Sequence, residues 1–306
     1  MMPNFLIIGA SKAGTTALYL YLKQHPQIYM SPIKEPRFFA FEDERLDFKG
    51  PADERLKHEI VTHIEDYYAL FQGVSKERAV GEVSPVYLYS PKAPERIRHY
   101  IPDVKLIAVL RNPIERGYSN FLAQVREGRE PLTDYAQALQ EEETRIRNNW
   151  SYIWHYRQRG FYYTQLRRYF DKFDRDQIRV YLYDDWKANN IMILQEIFHF
   201  LNVDDTVVPD ISVRPNVSVI PRSKILHRYL TKRNLIMSTL KPLLPRRLRQ
   251  RILAKLQIAF VNLMSLNLVR PRLSLEVRRQ LVQEYREDIL KLQDLIDRDL
   301  SKWLEP

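Results

Sequence analysis

Near its start the chain has the sequence Phe5-Leu-Ile-Ile-Gly-Ala-Ser-Lys-Ala-Gly-Thr-Thr-Ala-Leu18, and this stretch decides the fold. Its first four residues form an apolar run of the length of a buried strand, and good helix formers follow from Thr15 onward. Between them, Gly9 and Gly14 bracket a turn in which backbone N–H groups can approach an anion, and the helix N-terminus adds positive potential. The stretch therefore predicts a strand, a phosphate-binding loop and a helix.

The loop has the glycine spacing of a nucleotide-triphosphate P-loop but different chemistry. That motif places Lys directly after the second glycine, followed by a Ser or Thr that holds magnesium. Here Thr15 stands in the lysine position, and the lysine of the loop is Lys12. A cation there can reach a phosphate and its bridging oxygen, whereas the magnesium-dependent arrangement is compromised. A P-loop nucleotide kinase is therefore a disfavoured alternative, and an ordinary strand–helix turn is the plainest one.

A second candidate anion site follows the apolar run Lys105–Leu110, which predicts another buried strand. Asn112 is a suitable N-cap and Pro113 a suitable first residue for the next helix, so Arg111 falls at the carboxyl end of a strand. In open parallel sheets ligands bind at that edge. Arg supplies a planar fork for phosphate, and Ser119, two turns into the helix, supplies a hydroxyl donor. The alternative is that Arg111 pairs with a neighbouring carboxylate.

Three segments together resemble the sulfotransferases that use 3′-phosphoadenosine 5′-phosphosulfate (PAPS). The resemblance is closest to the branch that contains glycan (heparan sulfate) and related bacterial enzymes. The segments are Ile8–Leu18 followed by His25-Pro26, Lys34-Glu35-Pro-Arg-Phe38-Phe39, and Val109–Ser119. The match covers residues 4–200 well and the remainder poorly. It implies a sulfotransferase that moves a sulfuryl group to a hydroxyl, or alternatively an amine, of an acceptor.

The resemblance also implies how the donor is held. In the family the loop binds the 5′-phosphate and the sulfate, and its lysine stabilises the leaving phosphate, which assigns these roles to Ser11, Lys12, Ala13, Gly14, Thr15 and Thr16. Arg111 and Ser119 correspond to the family's 3′-phosphate ligands, and Tyr162 lies in a segment similar to the adenine side. Asn216 and Arg222 are either further 3′-phosphate contacts or ordinary loop residues. Sulfuryl transfer requires no metal, and none is predicted.

The predicted catalytic base is Glu35, which matches the residue that deprotonates the acceptor in the glycan branch. Burial beside Phe38 and Phe39 would raise its basicity, whereas pairing with Lys34 or Arg37 would give it a purely structural role. Glu82 is the reserve candidate, and among the histidines His25 is assigned to structure while His58, His63 and His155 remain open. Arg37 and Val83 depart from the heparan enzymes, which tend to have His and Lys there, and this points away from a heparan acceptor.

The composition limits the environment and the partners. The 306 residues contain no cysteine, which excludes disulfides, and the sequence shows no signal peptide or apolar stretch of spanning length. We therefore expect a cytoplasmic protein. Residues 211–275 hold fourteen Lys and Arg and no Asp or Glu, so the rest of the chain carries 34 basic against 38 acidic residues. This basic region predicts peripheral contact with an anionic membrane or an anionic acceptor rather than nucleic acid, although an exposed solvated face remains an alternative.

A basic binding protein is the third functional class. Steep salt dependence would indicate nucleic acid, and binding to anionic vesicles would indicate a membrane.

The order of elements predicts an α/β fold with a doubly wound parallel sheet flanked by helices. Further strands are expected at Ala79–Val83 and Ile178–Tyr183, and helices at Asp53–Tyr68 and Tyr156–Phe170. We expect one domain over residues 1–306, with a basic, mainly helical excursion at about 211–275. Apolar residues at steps of three and four predict a structural C-terminal helix at about 275–303.

Overall fold

The structure, a computed structural model, describes residues 1–212, 220–221, 268–269 and 271–306. Its centre is a five-stranded sheet in the order β2-β3-β1-β4-β5, in which every neighbouring pair is parallel. The strands are β1 (Phe5–Gly9), β2 (Ile28–Met30), β3 (Ala79–Val83), β4 (Lys105–Leu110) and β5 (Ile178–Leu182). Helices connect them, and the predicted α/β fold with a doubly wound sheet is confirmed.

The described helices have at most 14 residues, apart from the C-terminal helix, which has 22. They are α1 (Thr15–Leu22), α2 (Phe38–Phe41), α3 (Asp53–His58), α4 (Ile64–Ala69), α5 (Ala93–Tyr100), α6 (Pro113–Arg126), α7 (Tyr135–Gln140), α8 (Glu142–Arg147), α9 (Tyr162–Phe170), α10 (Tyr183–Ala188), α11 (Asn190–Phe200) and α12 (Leu275–Ile296). Two-residue strands β6 (Ile220–Pro221) and β7 (Leu268–Val269) pair antiparallel.

The strand order creates a switch point between β1 and β4. From β1 the chain moves outward to β2 and returns to β3 beside β1, after which β4 and β5 are added on the other side. The connections that leave β1 and β4 therefore diverge at the carboxyl edge, which opens a crevice where ligands bind in open α/β sheets. The loop after β1 and the residue after β4 both lie there.

Continuous apolar strands form the core because helices cover both faces of a parallel sheet. All five residues of β1 are buried, as are Leu106 to Leu110 of β4. Gly81 of β3 lies against Phe5, and a Cβ atom at this position would be only 2.4 Å from the Phe5 ring. The bare backbone of Gly81 thus permits the close packing of β1 and β3.

The chain divides into two compact units. The larger contains Met1–Phe121, Leu132–Val217 and Ser274–Pro306, and the smaller contains Leu122–Pro131 and Ser218–Leu273. Among the described residues, the five-stranded sheet and all helices except the end of α6 belong to the larger unit. In the smaller unit the structure describes the end of α6, the segment that follows it, the β6–β7 pair and Pro271 to Leu273. The predicted helical excursion at 211–275 lies almost wholly outside the described residues.

Three predicted helices have different bounds in the structure. Asp53–Tyr68 is two helices, because the chain leaves the helical conformation between His58 and Ile64. Tyr156–Phe170 is helical only from Tyr162, since Gln158–Gly160 forms a separate 3₁₀ turn. The C-terminal helix ends at Ile296 because Asp297 adopts a left-handed φ of 52°, and a 3₁₀ turn follows at Ser301–Leu304.

The C-terminal helix α12 supports the N-terminus of α9. The Asp288 carboxylate accepts hydrogen bonds from the backbone N–H of Tyr163 at 3.0 Å and of Thr164 at 3.5 Å. Tyr285 donates its hydroxyl to Arg157 O at 2.8 Å. These bonds satisfy backbone groups that a helix start otherwise leaves unpaired. The last helix therefore fixes the position of Tyr162, which begins α9.

A buried carboxylate ties the segment after β2 to the loop before α9. Asp53 is 1% exposed and accepts four hydrogen bonds, from Gly50 N, Ser151 N, Ser151 Oγ and Trp154 Nε1, at 2.6 to 3.0 Å. Both carboxylate oxygens are therefore occupied within the described protein. The network fixes the backbone on both sides of Tyr152, which lies between Ser151 and Trp154 in the same loop.

Candidate active site

The loop between β1 and α1 has the backbone geometry that the predicted phosphate site requires. Lys12 and Gly14 adopt left-handed φ values of 66° and 88°, and the first α-helical bond runs from Leu18 N to Gly14 O. The N–H groups of the first helical turn, including those of Thr15 and Thr16, consequently have no partner within the helix. Successive amides in this geometry form a cradle for phosphate oxygens. The structure thus places Lys12 to Thr16 around one concave backbone.

The Ser11 hydroxyl is an independent indication of a ligand in this loop. Its Oγ atom is buried and makes no hydrogen bond within the described residues. A buried hydroxyl without a partner is unfavourable by about 1–3 kcal/mol, so such groups are normally satisfied. A phosphate or sulfate oxygen beside the loop would accept this hydrogen bond. The loop residues therefore fit the anionic end of a nucleotide.

Arg111, after β4, lies directly beside the loop. Its Nη1 donates to Lys12 O at 3.1 Å, and its guanidinium carbon lies 4.9 Å from the centre of the Tyr183 ring. Glu115 is 3.7 Å from Nη2, so the pairing with a carboxylate considered above is present as a long contact. The side chain of Asn112 accepts bonds from Ile114 N and Glu115 N and thereby caps α6. Arg111 is therefore held at the crevice by contacts on several sides.

Two further residues predicted to bind the donor, Ser119 and Tyr162, are both buried. Ser119 lies in α6 and is 2% exposed. Tyr162 is completely buried, and its hydroxyl donates to Arg111 O at 3.0 Å. The hydroxyl of Tyr162 thus contacts the residue predicted to bind the 3′-phosphate, and the adenine-side role of Tyr162 stays a prediction. Asn216 and Arg222 lie outside the described residues.

Sequence reasoning missed two aromatic residues that cover the loop. Trp186 and Tyr183 of α10 lie so close to Gly14 that a Cβ atom there would be 3.1 Å from Trp186 Nε1 and 3.5 Å from Tyr183 Cδ2. Gly14 is therefore required both for its positive φ and for this contact. The position of α10 directly after β5, beside β4, was the available signal, because adjacent parallel strands place their carboxyl ends together.

Glu35 follows β2 in the chain and is paired with two cations. Its Oε1 is 2.5 Å from Lys34 Nζ, and its Oε2 is 3.2 Å from Arg37 Nη2. Burial raises the pKa of Glu35, but the charges of Lys34 and Arg37 outweigh burial and lower the pKa to about 2. The carboxyl side chain remains 28% exposed, so an acceptor can reach it. The pairing foreseen as the structural alternative therefore exists in an accessible position.

Glu82, the reserve candidate for the base, differs from Glu35 in both its burial and its pKa. It is completely buried in β3, and Tyr67 OH donates to its Oε1 at 3.4 Å. Burial raises the pKa of Glu82 to about 7, although the hydroxyls of Tyr87, Ser84 and Tyr67 partly counteract it. Its basicity suits proton transfer at neutral pH, but its burial separates it from any acceptor that stays in the crevice.

The histidines differ in their availability. Both ring nitrogens of His25 are used, by Gln27 N at 3.0 Å and Asp204 O at 2.8 Å, which fits the structural role expected of it. His155 Nε2 lies 3.3 Å from Trp150 O, which only accepts, so Nε2 carries the proton and Nδ1 accepts from Tyr89 OH at 2.9 Å. Burial and the charge of Arg159 lower the pKa of His155 to about 4. His58 and His63 are exposed on α3 and before α4.

No group of three or more His, Asp or Glu side chains suited to a metal ion occurs in the part of the chain that the structure describes. None of its described helices is both long and apolar enough to cross a membrane.

The parallel five-stranded sheet flanked by helices, with a glycine-bracketed loop after the central strand β1, is the P-loop-like sulfotransferase fold. The chain belongs to the sulfotransferase family, because the sequence model described as "Sulfotransferase family" matches residues 3–206. The crystal structure of a sulfotransferase from Alicyclobacillus acidocaldarius superimposes with a TM-score of 0.77 at 31% identity, covering 100% of both chains. The predicted family membership is confirmed.

Curated relatives match over part of their length. The membrane-associated sulfotransferase kil1 of Dictyostelium discoideum is 29% identical over 52% of this chain and 32% of that protein. The bifunctional heparan sulfate N-deacetylase/N-sulfotransferase 4 of Mus musculus is 34% identical over 39% of this chain and 12% of that protein. The chain thus spans about a third or less of these two relatives.

Proposed function

We propose that the chain transfers a sulfuryl group from PAPS to an acceptor hydroxyl, or alternatively an amine, by in-line displacement. The observation that carries the proposal is the contact between the two predicted phosphate sites: Arg111 Nη1 donates to Lys12 O at 3.1 Å. One nucleotide with phosphates at its 5′ and 3′ positions can therefore reach both sites at once. The co-substrate supplies an activated sulfuryl group. The chain orients this group and neutralises the charge that develops during its transfer.

On this proposal each side of the crevice has a separate task. The amides of the Lys12–Thr16 loop, the Ser11 hydroxyl and the Lys12 ammonium hold the 5′ end and neutralise charge that develops on the leaving phosphate. Arg111 holds the 3′-phosphate, and Tyr162 and Tyr183 hold Arg111. Glu35 accepts the proton of the attacking hydroxyl. That hydroxyl becomes acidic as its oxygen bonds to sulfur, so a carboxylate of low pKa can still receive its proton.

The class of acceptor that we propose is broader than heparan sulfate. The mouse relative is named for heparan sulfate N-sulfation, but this chain has Arg37 and Val83 at positions where the resemblance leads us to expect His and Lys. Arg37 is also occupied by Glu35 and Glu59. We propose a glycan, a lipid-linked molecule or a small molecule with a hydroxyl, with the basic residues 211–275 in contact with an anionic membrane and the protein in the cytoplasm.

The proposal predicts both binding of 3′-phosphoadenosine 5′-phosphate (PAP) and turnover of PAPS, which two experiments measure. Calorimetric titration with PAP is expected to show a single site. Incubation with PAPS and a panel of phenolic, sugar and lipid-linked alcohols is expected to release PAP in an acceptor-dependent manner. Absence of PAP binding would overturn the proposal, and magnesium-dependent ATP turnover would support the kinase alternative.

The identity of the base is tested by pH dependence. A base whose pKa is about 2 is fully ionised from pH 5 upward, so with Glu35 as the base kcat/KM should not fall between pH 8 and pH 5. With Glu82 as the base the rate would fall below about pH 7, where that carboxylate gains a proton. We expect Glu35→Gln to lower kcat by about 10²–10⁴-fold, the range for loss of a general base, and Glu82→Gln to lower it much less.

An acidic limb near pH 7 that disappears in Glu82→Gln would instead assign the role to Glu82. A limb that persists in Glu82→Gln would indicate a histidine.

A further inference from the structure

Arg159 is a buried arginine that lies between two tyrosine rings. The 3₁₀ turn Gln158–Gly160 carries it into the interior, where the residue is 6% exposed. Its guanidinium carbon lies 5.3 Å from the centre of the Tyr152 ring and 6.0 Å from that of Tyr89. Two aromatic rings thus hold the guanidinium in a defined orientation.

The hydrogen bonding of Arg159 leaves one edge of the guanidinium available. Its Nη1 donates to Tyr152 O at 3.4 Å, and no carboxylate pairs with it among the residues for which the structure gives positions. Nε and Nη2 form the side-on edge that binds the two oxygens of a carboxylate. Neither atom makes a hydrogen bond with a described residue, and neither is fully buried. This edge therefore carries two donors that no described residue satisfies and that are not fully buried.

Arg37 and Arg157 are neighbouring arginines that are used differently, whereas Arg116 also lacks a carboxylate partner among the described residues but is completely buried, so no acceptor can reach it. Arg37 pairs with Glu35 and Glu59, and Arg157, two residues before Arg159, pairs with Glu143 and Glu284. Their charges are therefore compensated within the chain. Arg159 has no such compensation in the described ranges although it is the most buried of the three.

Electrostatics indicates that Arg159 keeps its charge while it lacks a partner. Burial and the charge of Arg116 lower the pKa of Arg159 to about 10, whereas Tyr152, Tyr89 and Glu35 act in the opposite direction. The side chain is consequently still protonated at neutral pH. A buried charge without a counterion is unfavourable, and an anion that reaches it is bound more strongly than at the surface.

We propose that Arg159 binds a carboxylate of the acceptor and thereby selects acidic acceptors. This inference rests on the proposed function. The donor's two phosphates are already assigned to the Lys12 loop and to Arg111, whereas Arg159 lies between Tyr89 and Tyr152 and feels the charge of Glu35. A carboxylate bound on its side-on edge would leave another part of the acceptor, the hydroxyl, directed toward Glu35.

Two matched acceptors test the proposal. 4-Nitrophenyl β-D-glucuronide and 4-nitrophenyl β-D-glucoside share an aglycone and a sugar ring and differ in a carboxylate against a hydroxymethyl group. With PAP saturating, we expect the wild-type chain to bind the glucuronide at least tenfold more tightly, measured by calorimetry. With PAPS, kcat/KM should show the same preference.

The variants isolate the side-on edge. Arg159→Gln should reduce the preference to within about twofold and leave PAP binding unchanged, because a bidentate ion pair is replaced by a neutral amide. Arg159→Lys keeps the positive charge but lacks the planar guanidinium, so it should give an intermediate preference for the glucuronide. It also tests the proposal if Arg159→Gln fails to fold. Arg167→Gln is the matched control, since Arg167 is exposed on α9 and pairs with Asp171 at 2.8 Å.

The outcomes separate this inference from the function on which it rests. If the wild-type chain does not bind PAP, the proposed function itself is wrong. PAP binding without a preference for the glucuronide would overturn only the role of Arg159. An equal loss of both acceptors in Arg159→Gln and Arg159→Lys would also overturn it, because it would indicate a structural role.

Discussion

Replacing Lys12 by alanine is expected to lower kcat by about 10²–10³-fold, the loss measured when one preorganised electrostatic group is removed from an active site. The expected effect is on kcat rather than on donor affinity, because the ammonium neutralises charge that develops on the leaving phosphate during transfer. The backbone amides of Gly14 to Thr16 and the Ser11 hydroxyl still hold the ground state. The change is measured as PAP release at saturating PAPS and acceptor.

Alanine is the informative replacement at this position because of the backbone. Lys12 has a left-handed φ of 66°, which is strained for any residue with a Cβ atom, and alanine preserves that strain. Glycine would relieve it and add a change in stability to the change in charge. Lys23→Ala is the control, since Lys23 is an exposed lysine that caps the far end of the same helix. An unchanged kcat in Lys12→Ala would refute the assignment of the leaving-group role.

The contacts around Lys12 also explain why the chain tolerates this backbone. Arg111 Nη1 donates to Lys12 O, and Trp186 and Tyr183 pack against Gly14 two residues later. A strained conformation persists when the surroundings hold it, and such strain is concentrated at binding sites. The loop is therefore preorganised by residues that follow β4 and β5, and not by its own sequence alone.

Local sequence patterns predicted several of the strands and helices of the fold. β3 and β4 have the bounds that their apolar runs indicate, and Asn112 caps α6 as its position before Pro113 predicts. The spacing of apolar residues also indicated α12, because its buried face repeats at helical steps. In these cases the determining interactions join residues that are close in sequence, or depend only on which side chains are apolar.

The state of the candidate base was not predictable in the same way. Glu35 and Arg37 both have left-handed φ values, 64° and 63°, which bring two side chains two residues apart onto one another. No composition rule indicates left-handed backbone at Glu or Arg. The expected burial does occur, but the two neighbouring cations reverse its effect on the pKa. The sequence allowed both burial and pairing of Glu35, and the backbone conformation brings about the pairing with Arg37.

Distant contacts were equally inaccessible to sequence reasoning. The helix predicted over Tyr156–Phe170 would have placed Arg159 on a regular helix face, whereas the 3₁₀ turn directs it between Tyr89 and Tyr152. That loop is fixed by Asp53, whose hydrogen bonds to Ser151 and Trp154 span 98 to 101 residues of sequence. A candidate acceptor contact therefore depends on tertiary bonds that no local pattern contains.

Replacing Arg111 by glutamine is expected to raise the Kd for PAP by about 10–100-fold, since a hydrogen-bonded ion pair to phosphate contributes roughly 1.5–3 kcal/mol. The side chain supplies a planar fork, and Tyr183 and the carbonyl oxygen of Lys12 fix its direction. Isothermal titration calorimetry measures the change. Arg179→Gln is the control, because Arg179 is an exposed arginine on the neighbouring strand β5.

A second ligand separates phosphate binding by Arg111 from support of the loop. Adenosine 5′-phosphate lacks the 3′-phosphate but contacts the same loop, so the wild-type chain should bind it more weakly than PAP. In Arg111→Gln the affinity for PAP should fall to that for adenosine 5′-phosphate, while the latter changes by less than about threefold. If both ligands weaken equally, the hydrogen bond to Lys12 O is the whole contribution of Arg111, and the two-pocket assignment is wrong. Because the bond joins the two pockets, only this comparison of ligands distinguishes the two roles.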